Sequence, residues 1–236
     1  MRKFALHLFI GLLFVPALLT AQQKELKVLF VGNSYTYGYN LAHIVSIISE
    51  ETSTLLITRK SVIGGASLKE HWKGGRELRT RSMIAEGNFD VVVLQDFSMS
   101  AMNDPDTSLR YIQLFCDFIR SHGAVPYLFN TWAREKVPQF QTEIRVPVGP
   151  AWELAMDLRP TVDLFTSDGS HPNELGTMLT ASVFVRTICR ELPDIIPSLY
   201  RIKDAHGETV RLMNHNPEEP EFCRRIANEI VSQQKQ

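Results

Sequence analysis

Cysteine is scarce in this chain: three in 236 residues, with no Cys-x-x-Cys spacing. That excludes a disulfide-dense scaffold and offers no zinc site. An excess of one charge is also missing. Twenty-five basic and 26 acidic residues give a formal charge of −1. A general nucleic-acid binder carries a basic excess, so nucleic acid is not an expected partner. Beyond residue 21 no apolar run approaches the roughly 20 residues that cross a bilayer. Internal repeats, low-complexity tracts and linkers are absent too, so the chain reads as one domain. What remains is 44% hydrophobic and 22% charged, the composition of a globular protein rather than a disordered chain or a coiled coil.

The first residues read as an address. Arg2 and Lys3 precede a mostly apolar run, Phe4–Leu19, and Leu19-Thr20-Ala21 resembles a signal-peptidase site. The reading is a cleavable export signal at 1–21 and a mature domain at 22–236, with an uncleaved anchor as the competing reading. Removing 21 of 236 residues leaves 215, and losing Arg2 and Lys3 takes the formal charge from −1 to −3. Export implies a periplasmic or extracellular protein with no stable membrane insertion after cleavage. Its oxidising surroundings would allow one disulfide among Cys116, Cys189 and Cys223, although buried thiols are favoured.

Apolar runs alternate with amphipathic stretches along the rest. Strands are predicted at Leu26–Val31, Leu55–Ile63, Asp90–Leu94, Val125–Phe129 and Val162–Phe165. Helices are predicted at Asn40–Glu51, Glu77–Glu86, Thr107–His122, Pro150–Leu158 and Glu174–Glu191, with Gly123 as a C-terminal cap. A tail from about residue 192 ends in a helix at Glu219–Val231. Strands separated by helices imply parallel pairing through crossovers. The fold class is therefore α/β, a three-layer α/β/α sandwich of about five parallel strands with a flavodoxin-like arrangement. In such sheets ligands bind beyond the carboxyl ends of the strands. Polar segments stand there: GNSYTYG, GGAS, QDFS, NTW and SDGSHP.

Two of these segments carry chemistry. Ser34 lies in a Gly-Asn-Ser turn directly after a strand, where its hydroxyl can reach the rim. Asp168 and His171 are separated by two residues, so the carboxylate can turn back to the imidazole of its own loop. A serine hydroxyl, a histidine and an orienting carboxylate are the parts of a serine hydrolase. Taken singly, each has a plain alternative: a helix-capping serine, an aspartate turn, a surface histidine.

The segments GNSYTYG and SDGSHPNELG resemble the first and last blocks of the SGNH (GDSL-type) hydrolases, across about residues 27–190. Within that family the GNS-Tyr-Thr and Val-Val-Leu-Gln segments look like secreted Bacteroidota-type members. The resemblance implies an SGNH-hydrolase fold with Ser34 as nucleophile, His171 as base and Asp168 as its orienter. It also implies an oxyanion hole built from the backbone N–H groups of Ser34 and Gly65. The family's asparagine in the third block is replaced by Gln95, whose amide is the expected third donor. Gly65 could instead be an ordinary turn glycine, and Gln95 could support the loop backbone.

Weaker substrate-binding candidates are Asn33, Asp96, Asn130, Trp132 and His71. Loop capping for Asp96 and sheet-edge packing for Asn130 and Trp132 compete with that role. The basic run Lys69, Lys73, Arg76, Arg79 and Arg81 is read as a solvated helix face. The expected function is an exported serine ester hydrolase acting on O-acyl groups of a small-molecule or glycan ester, with no metal and no organic cofactor. A non-catalytic glycan- or ligand-binding protein on the same fold is the alternative. A flavodoxin-like nucleotide binder ranks last, because the first turn lacks the GxxxxGK pattern.

Overall fold

The computed structural model describes residues 23–132 and 144–234, so the expected export signal lies outside the described residues. The order of elements is β1 (Lys24–Gly32), α1 (Ser34–Tyr37), α2 (Leu41–Ser49), β2 (Thr54–Val62), α3 (Leu68–Lys73), α4 (Thr80–Glu86), β3 (Val91–Leu94), α5 (Ser100–Asn103), α6 (Pro105–Ser121), β4 (Val125–Phe129) and β5 (Ile144–Val146). It continues with α7 (Val148–Leu158), α8 (Glu174–Cys189), β6 (Leu199–Lys203), β7 (Thr209–Asn214) and α9 (Glu218–Gln233).

The five strands β1–β5 form one parallel sheet in the order β2-β1-β3-β4-β5. The period of two along a strand sends alternate side chains to opposite faces. Val28 and Phe30 of β1 join α2, α7, α8 and α9 in one core. Leu29 and Val31 join α3, α4 and α6 in the other. Strands buried on both faces are why Val91–Leu94 is a continuous apolar run. The α/β/α sandwich expected from the sequence is therefore what the chain forms.

Register brings the strand ends together. Gly32 pairs with Val62, Val31 with Leu94, Leu94 with Leu128 and Phe129 with Val146. The chain leaves β1 toward β2 on one side and returns to β3 on the other. The turn after β1 and the turn after β3 therefore flank the crevice where such sheets bind ligands.

The expected fifth strand, Val162–Phe165, is not in the sheet. That position belongs to Ile144–Val146, which pairs with Tyr127–Phe129. Residues 164–173 instead close on themselves. Phe165 bridges Pro172, the Thr166 N–H donates to the His171 carbonyl at 2.8 Å, and the Asn173 N–H donates to the Leu164 carbonyl at 2.9 Å. Val162, Leu164 and Phe165 still reach the core, but from a loop. A short apolar run records burial, not pairing.

The predicted helix at Glu77–Glu86 begins only at Thr80, because Arg76 and Glu77 take left-handed backbone angles, with φ of 49° and 62°. The tail contains a hairpin that the sequence reading left out. Strands β6 and β7 pair antiparallel across a turn in which Asp204 caps two N–H groups and Gly207 takes φ +80°. Tyr200 and Met213 carry it into the core beside α8 and α9. Cys116 and Cys223 are buried, and burial pushes the Cys189 thiol up to about 11. Among the described residues no helix is long and apolar enough to cross a membrane.

Candidate active site

The turn after β1 is built by its own residues. Asn33 caps α1 by accepting the Tyr35 N–H on Oδ1 at 3.2 Å. Its Nδ2 donates to the Ala66 carbonyl at 3.0 Å and the Asp96 carbonyl at 3.4 Å. Asn33 therefore stitches the turns after β1, β2 and β3 together. It is 2% exposed, so the expected substrate role for Asn33 is corrected to a structural one.

Ser34 opens α1 at the crevice. The loop ahead of α8, which packs on the same face of the sheet as α2, delivers His171. The Ser34 hydroxyl lies 2.9 Å from His171 Nε2, and His171 Nδ1 lies 2.5 Å from Asp168 Oδ2. A carboxylate only accepts, so Nδ1 carries the proton, and in the neutral ring Nε2 is left to accept from Ser34. Asp168 Oδ1 accepts three further bonds: the Ser170 N–H at 2.8 Å, the His171 N–H at 2.9 Å and the Thr166 hydroxyl at 2.8 Å. The His171 backbone and imidazole bonds, then Ser170 and Thr166, hold its pKa well below the usual carboxylate range. The structure thus joins Ser34, His171 and Asp168 in one hydrogen-bonded chain, open to solvent at its Asp168 end.

An aromatic column supports this loop. Tyr35 meets the His171 ring edge-on at 5.2 Å and stacks on Trp132 at 4.8 Å. Trp132 stacks on Trp152 at 4.0 Å and donates its indole N–H to the Ser170 carbonyl at 2.9 Å. The Tyr35 hydroxyl meets the Ser170 hydroxyl. Trp132 is 3% exposed and faces this column, so it supports the histidine loop rather than lining a substrate pocket. Tyr35 and Ser170 escaped the sequence reading. Each is the immediate neighbour of a singled-out residue, and that adjacency was the available signal.

Gln95 corrects a second expectation. Its Oε1 accepts the Asn33 N–H at 3.0 Å and the Thr36 hydroxyl at 2.9 Å. A backbone N–H must face an oxygen, so the amide orientation is fixed. Its Nε2 then donates to the Asp96 carbonyl. At 1% exposure it cannot reach a substrate. Gln95 holds the Ser34 turn from beneath instead of donating to an oxyanion.

Asp96 is likewise engaged: Oδ1 accepts the N–H groups of Leu68 and Phe97, each at 2.8 Å, and Oδ2 the Ser108 hydroxyl at 2.6 Å. His71 is 1% exposed. Its Nε2 donates to the Gly32 carbonyl at 3.0 Å, and its Nδ1 accepts from the Thr80 hydroxyl at 2.7 Å. Burial lowers its pKa and keeps it neutral. Asp96 and His71 are therefore struts beneath the rim, not substrate ligands. Asn130 is half-buried, and its backbone ties the end of β4 to Val146 and Gly149.

At the rim, the backbone N–H groups of Ser34 and Gly65 make no hydrogen bond to another described residue. Gly65 has φ +67°, and a side chain built there would meet nothing within 4 Å, so it borders open space. Among the described residues no cluster of His, Cys, Asp and Glu could hold a metal ion.

No protein-family model matches the chain, and no curated protein matches it. Solved structures do share its fold. A DUF4886 family protein from Bacteroides uniformis superposes with a TM-score of 0.66 at 16% identity, covering 90% of this chain and 97% of that one. A protein from Slackia heliotrinireducens assigned to the SGNH hydrolases gives 0.58 at 20% identity, covering 70% and 100%. TesA gives 0.52 at 15% identity, covering 69% and 97%. The chain has the SGNH-hydrolase fold.

Proposed function

We propose that this protein is a serine ester hydrolase. The observation that carries the reading is the continuous hydrogen-bonded chain from Asp168 through His171 to Ser34. Its fold neighbours include a protein assigned to the SGNH hydrolases, which supports the same reading.

The proposed steps follow the order of that hydrogen-bonded chain. Ser34 Oγ attacks the acyl carbon while His171 Nε2 takes the hydroxyl proton. The imidazolium that forms is stabilised by Asp168, which is already ionised. The Ser34 and Gly65 N–H groups receive the oxyanion of the tetrahedral intermediate. The ester C–O bond breaks, and His171 returns its proton to the departing alkoxide, releasing an alcohol. Water deprotonated by His171 then attacks the acyl-serine, freeing the carboxylic acid and restoring the Ser34 hydroxyl.

The substrate in this proposal is an O-acylated carbohydrate met outside the cytoplasm after export, so its alcohol portion is polar. A cavity of about 250 Å³ adjoins the rim, and Ser67, Lys69, Phe97, Asn103, Asp104 and Tyr111 line it. An exposed phenyl ring among hydroxyl, amide and charged groups suits a hydroxylated ligand. The N-terminal export pattern supports the location, and the GNS and Val-Val-Leu-Gln segments support a secreted Bacteroidota-type member.

A fluorophosphonate probe tests the reaction. Intact mass should show one adduct on the wild type and none on Ser34→Ala, with labelling strongly reduced in His171→Ala. An unlabelled wild type that also cleaves no p-nitrophenyl acetate would leave the alternative, a non-catalytic ligand-binding protein. The inward-turned Gln95 amide is the observation that favours that alternative.

A further inference from the structure

Arg76 is not part of a solvated helix face. Its Nε and Nη2 grip the Glu70 carboxylate at 2.7 and 2.9 Å, and its Nη1 donates to the Gly64 carbonyl at 2.9 Å. Glu70 is itself fixed, as the partner of Ser67 in the capping box of α3. The Arg76 bond holds the Glu70 pKa below its ordinary value. To make this grip, Arg76 and Glu77 both adopt left-handed backbone angles that favour glycine. Arg76 and Glu70 are well exposed, and an exposed ion pair returns less stability than two such residues cost. Stability alone does not account for the arrangement.

The Gly64 carbonyl shares its peptide plane with the Gly65 N–H. The peptide is trans, so the two groups point in opposite directions. Anchoring the carbonyl on Arg76 therefore aims the N–H away from Arg76, toward the open side of the turn. Two consecutive glycines leave this peptide free to rotate unless something outside the turn holds it. The cation also withdraws electron density through the amide and strengthens the N–H as a donor. Tyr37 and Asn33 place the turn beside α1: the Tyr37 hydroxyl lies 3.2 Å from where a Gly64 side chain would begin, and Asn33 bonds Ala66.

We propose that Arg76 is a positioning residue that aims and polarises the Gly65 N–H through the Gly64 carbonyl. It thereby secures the oxyanion site where the Gln95 side chain is turned inward. The proposal rests on the ester-hydrolase reading and on Gly65 as an oxyanion donor.

The test compares wild type, Arg76→Ala, Arg76→Lys and, as a surface control, Lys73→Ala. Three measurements are made: p-nitrophenyl acetate kinetics, affinity for a phenylboronic acid that mimics the tetrahedral intermediate, and the Gly65 amide cross-peak in a ¹H–¹⁵N spectrum. Arg76→Ala should lower kcat roughly tenfold with KM nearly unchanged, less than the ~10²–10³-fold cost of deleting a donor. Boronate affinity should fall in parallel, and the Gly65 cross-peak should move. Arg76→Lys, which keeps the charge, should recover part of each effect, and Lys73→Ala should match wild type. Unchanged kcat, a change confined to KM, or an unmoved Gly65 cross-peak overturns the proposal. An inactive, unlabelled wild type instead sinks the hydrolase reading itself. That failure appears before any Arg76 variant is compared.

Discussion

The hydroxyls of Tyr35 and Ser170 meet across the same gap that the Ser34–His171 hydrogen bond closes. Each pair joins α1 to the histidine loop, one residue apart on both sides. The Tyr35–Ser170 contact is thus a second strut beside the Ser34–His171 bond, outside the proposed proton path.

Removing that strut should loosen the His171 ring without changing the chemistry. Tyr35→Phe and Ser170→Ala should each lower kcat about fivefold, the rate equivalent of a net hydrogen bond of ~1 kcal/mol. The double variant should lose little more than either single one, because both break the same bond. Additive losses in the esterase assay would show that the two hydroxyls act separately.

Gln95→Ala should act on stability first. It leaves the buried Asn33 N–H without an acceptor, at a cost of about 1–3 kcal/mol. Urea unfolding should show that loss. In the fraction that remains folded, turnover should fall by far less than the ~10²–10³ expected for a lost oxyanion donor. A hundredfold loss in kcat at wild-type stability would return Gln95 to the donor role.

Gly32→Ala tests how tightly the Ser34 turn is packed. A methyl there would begin 2.3 Å from Thr36 Oγ1 and 2.6 Å from Gln95 Oε1. One of those groups must move, so the variant should be destabilised by about 1–3 kcal/mol. Fluorophosphonate labelling of Ser34 should slow with it. Wild-type labelling at wild-type stability would mean the turn has slack.

Two of the perturbed groups, His71 and Asp168, should shape acid stability in different windows. His71 has its pKa lowered from 6.5 by burial. Below that value the unfolded chain takes up a proton that the folded protein refuses, so stability falls as pH drops. Replacing it in His71→Gln should flatten the urea midpoint in that region, although the variant is less stable at neutral pH. Asp168 has a depressed pKa, so its stabilisation is complete above the ordinary carboxylate value of about 3.9. It is lost as pH falls from there through the folded value. Asp168→Asn should flatten only this lower limb, and coincident slopes for wild type and variant would refute the assignment.

The sequence showed Ser34, Asp168 and His171 because each sits in a short segment whose chemistry is local. It showed four of the five sheet strands: β3 and the end of β1 as apolar runs buried on both faces, and β4 and the edge strand β2 as shorter apolar stretches. The direction of the Gln95 amide was not legible. It is decided by the Asn33 N–H, 62 residues away, and a side chain's donor can be assigned only once its acceptor is in place. The same holds for Arg76, which reads as one charge in a basic run until Gly64 is folded against it. Val162–Phe165 misled for a related reason: the run records contact with the core, while its hydrogen bonds turn back to residues 171–173. The β6–β7 hairpin was within reach, since a turn ending in Gly207 separates two stretches of alternating character.

Ser34 and His171 are 137 residues apart in the chain. Synthesis runs from the N-terminus, so Ser34 emerges long before the loop and helix that bring His171 to it. Until α8 docks, Ser34 is an ordinary alcohol. On the ester-hydrolase proposal the growing chain therefore carries no esterase of its own, and hydrolytic activity arrives only once α8 has brought the histidine loop into place.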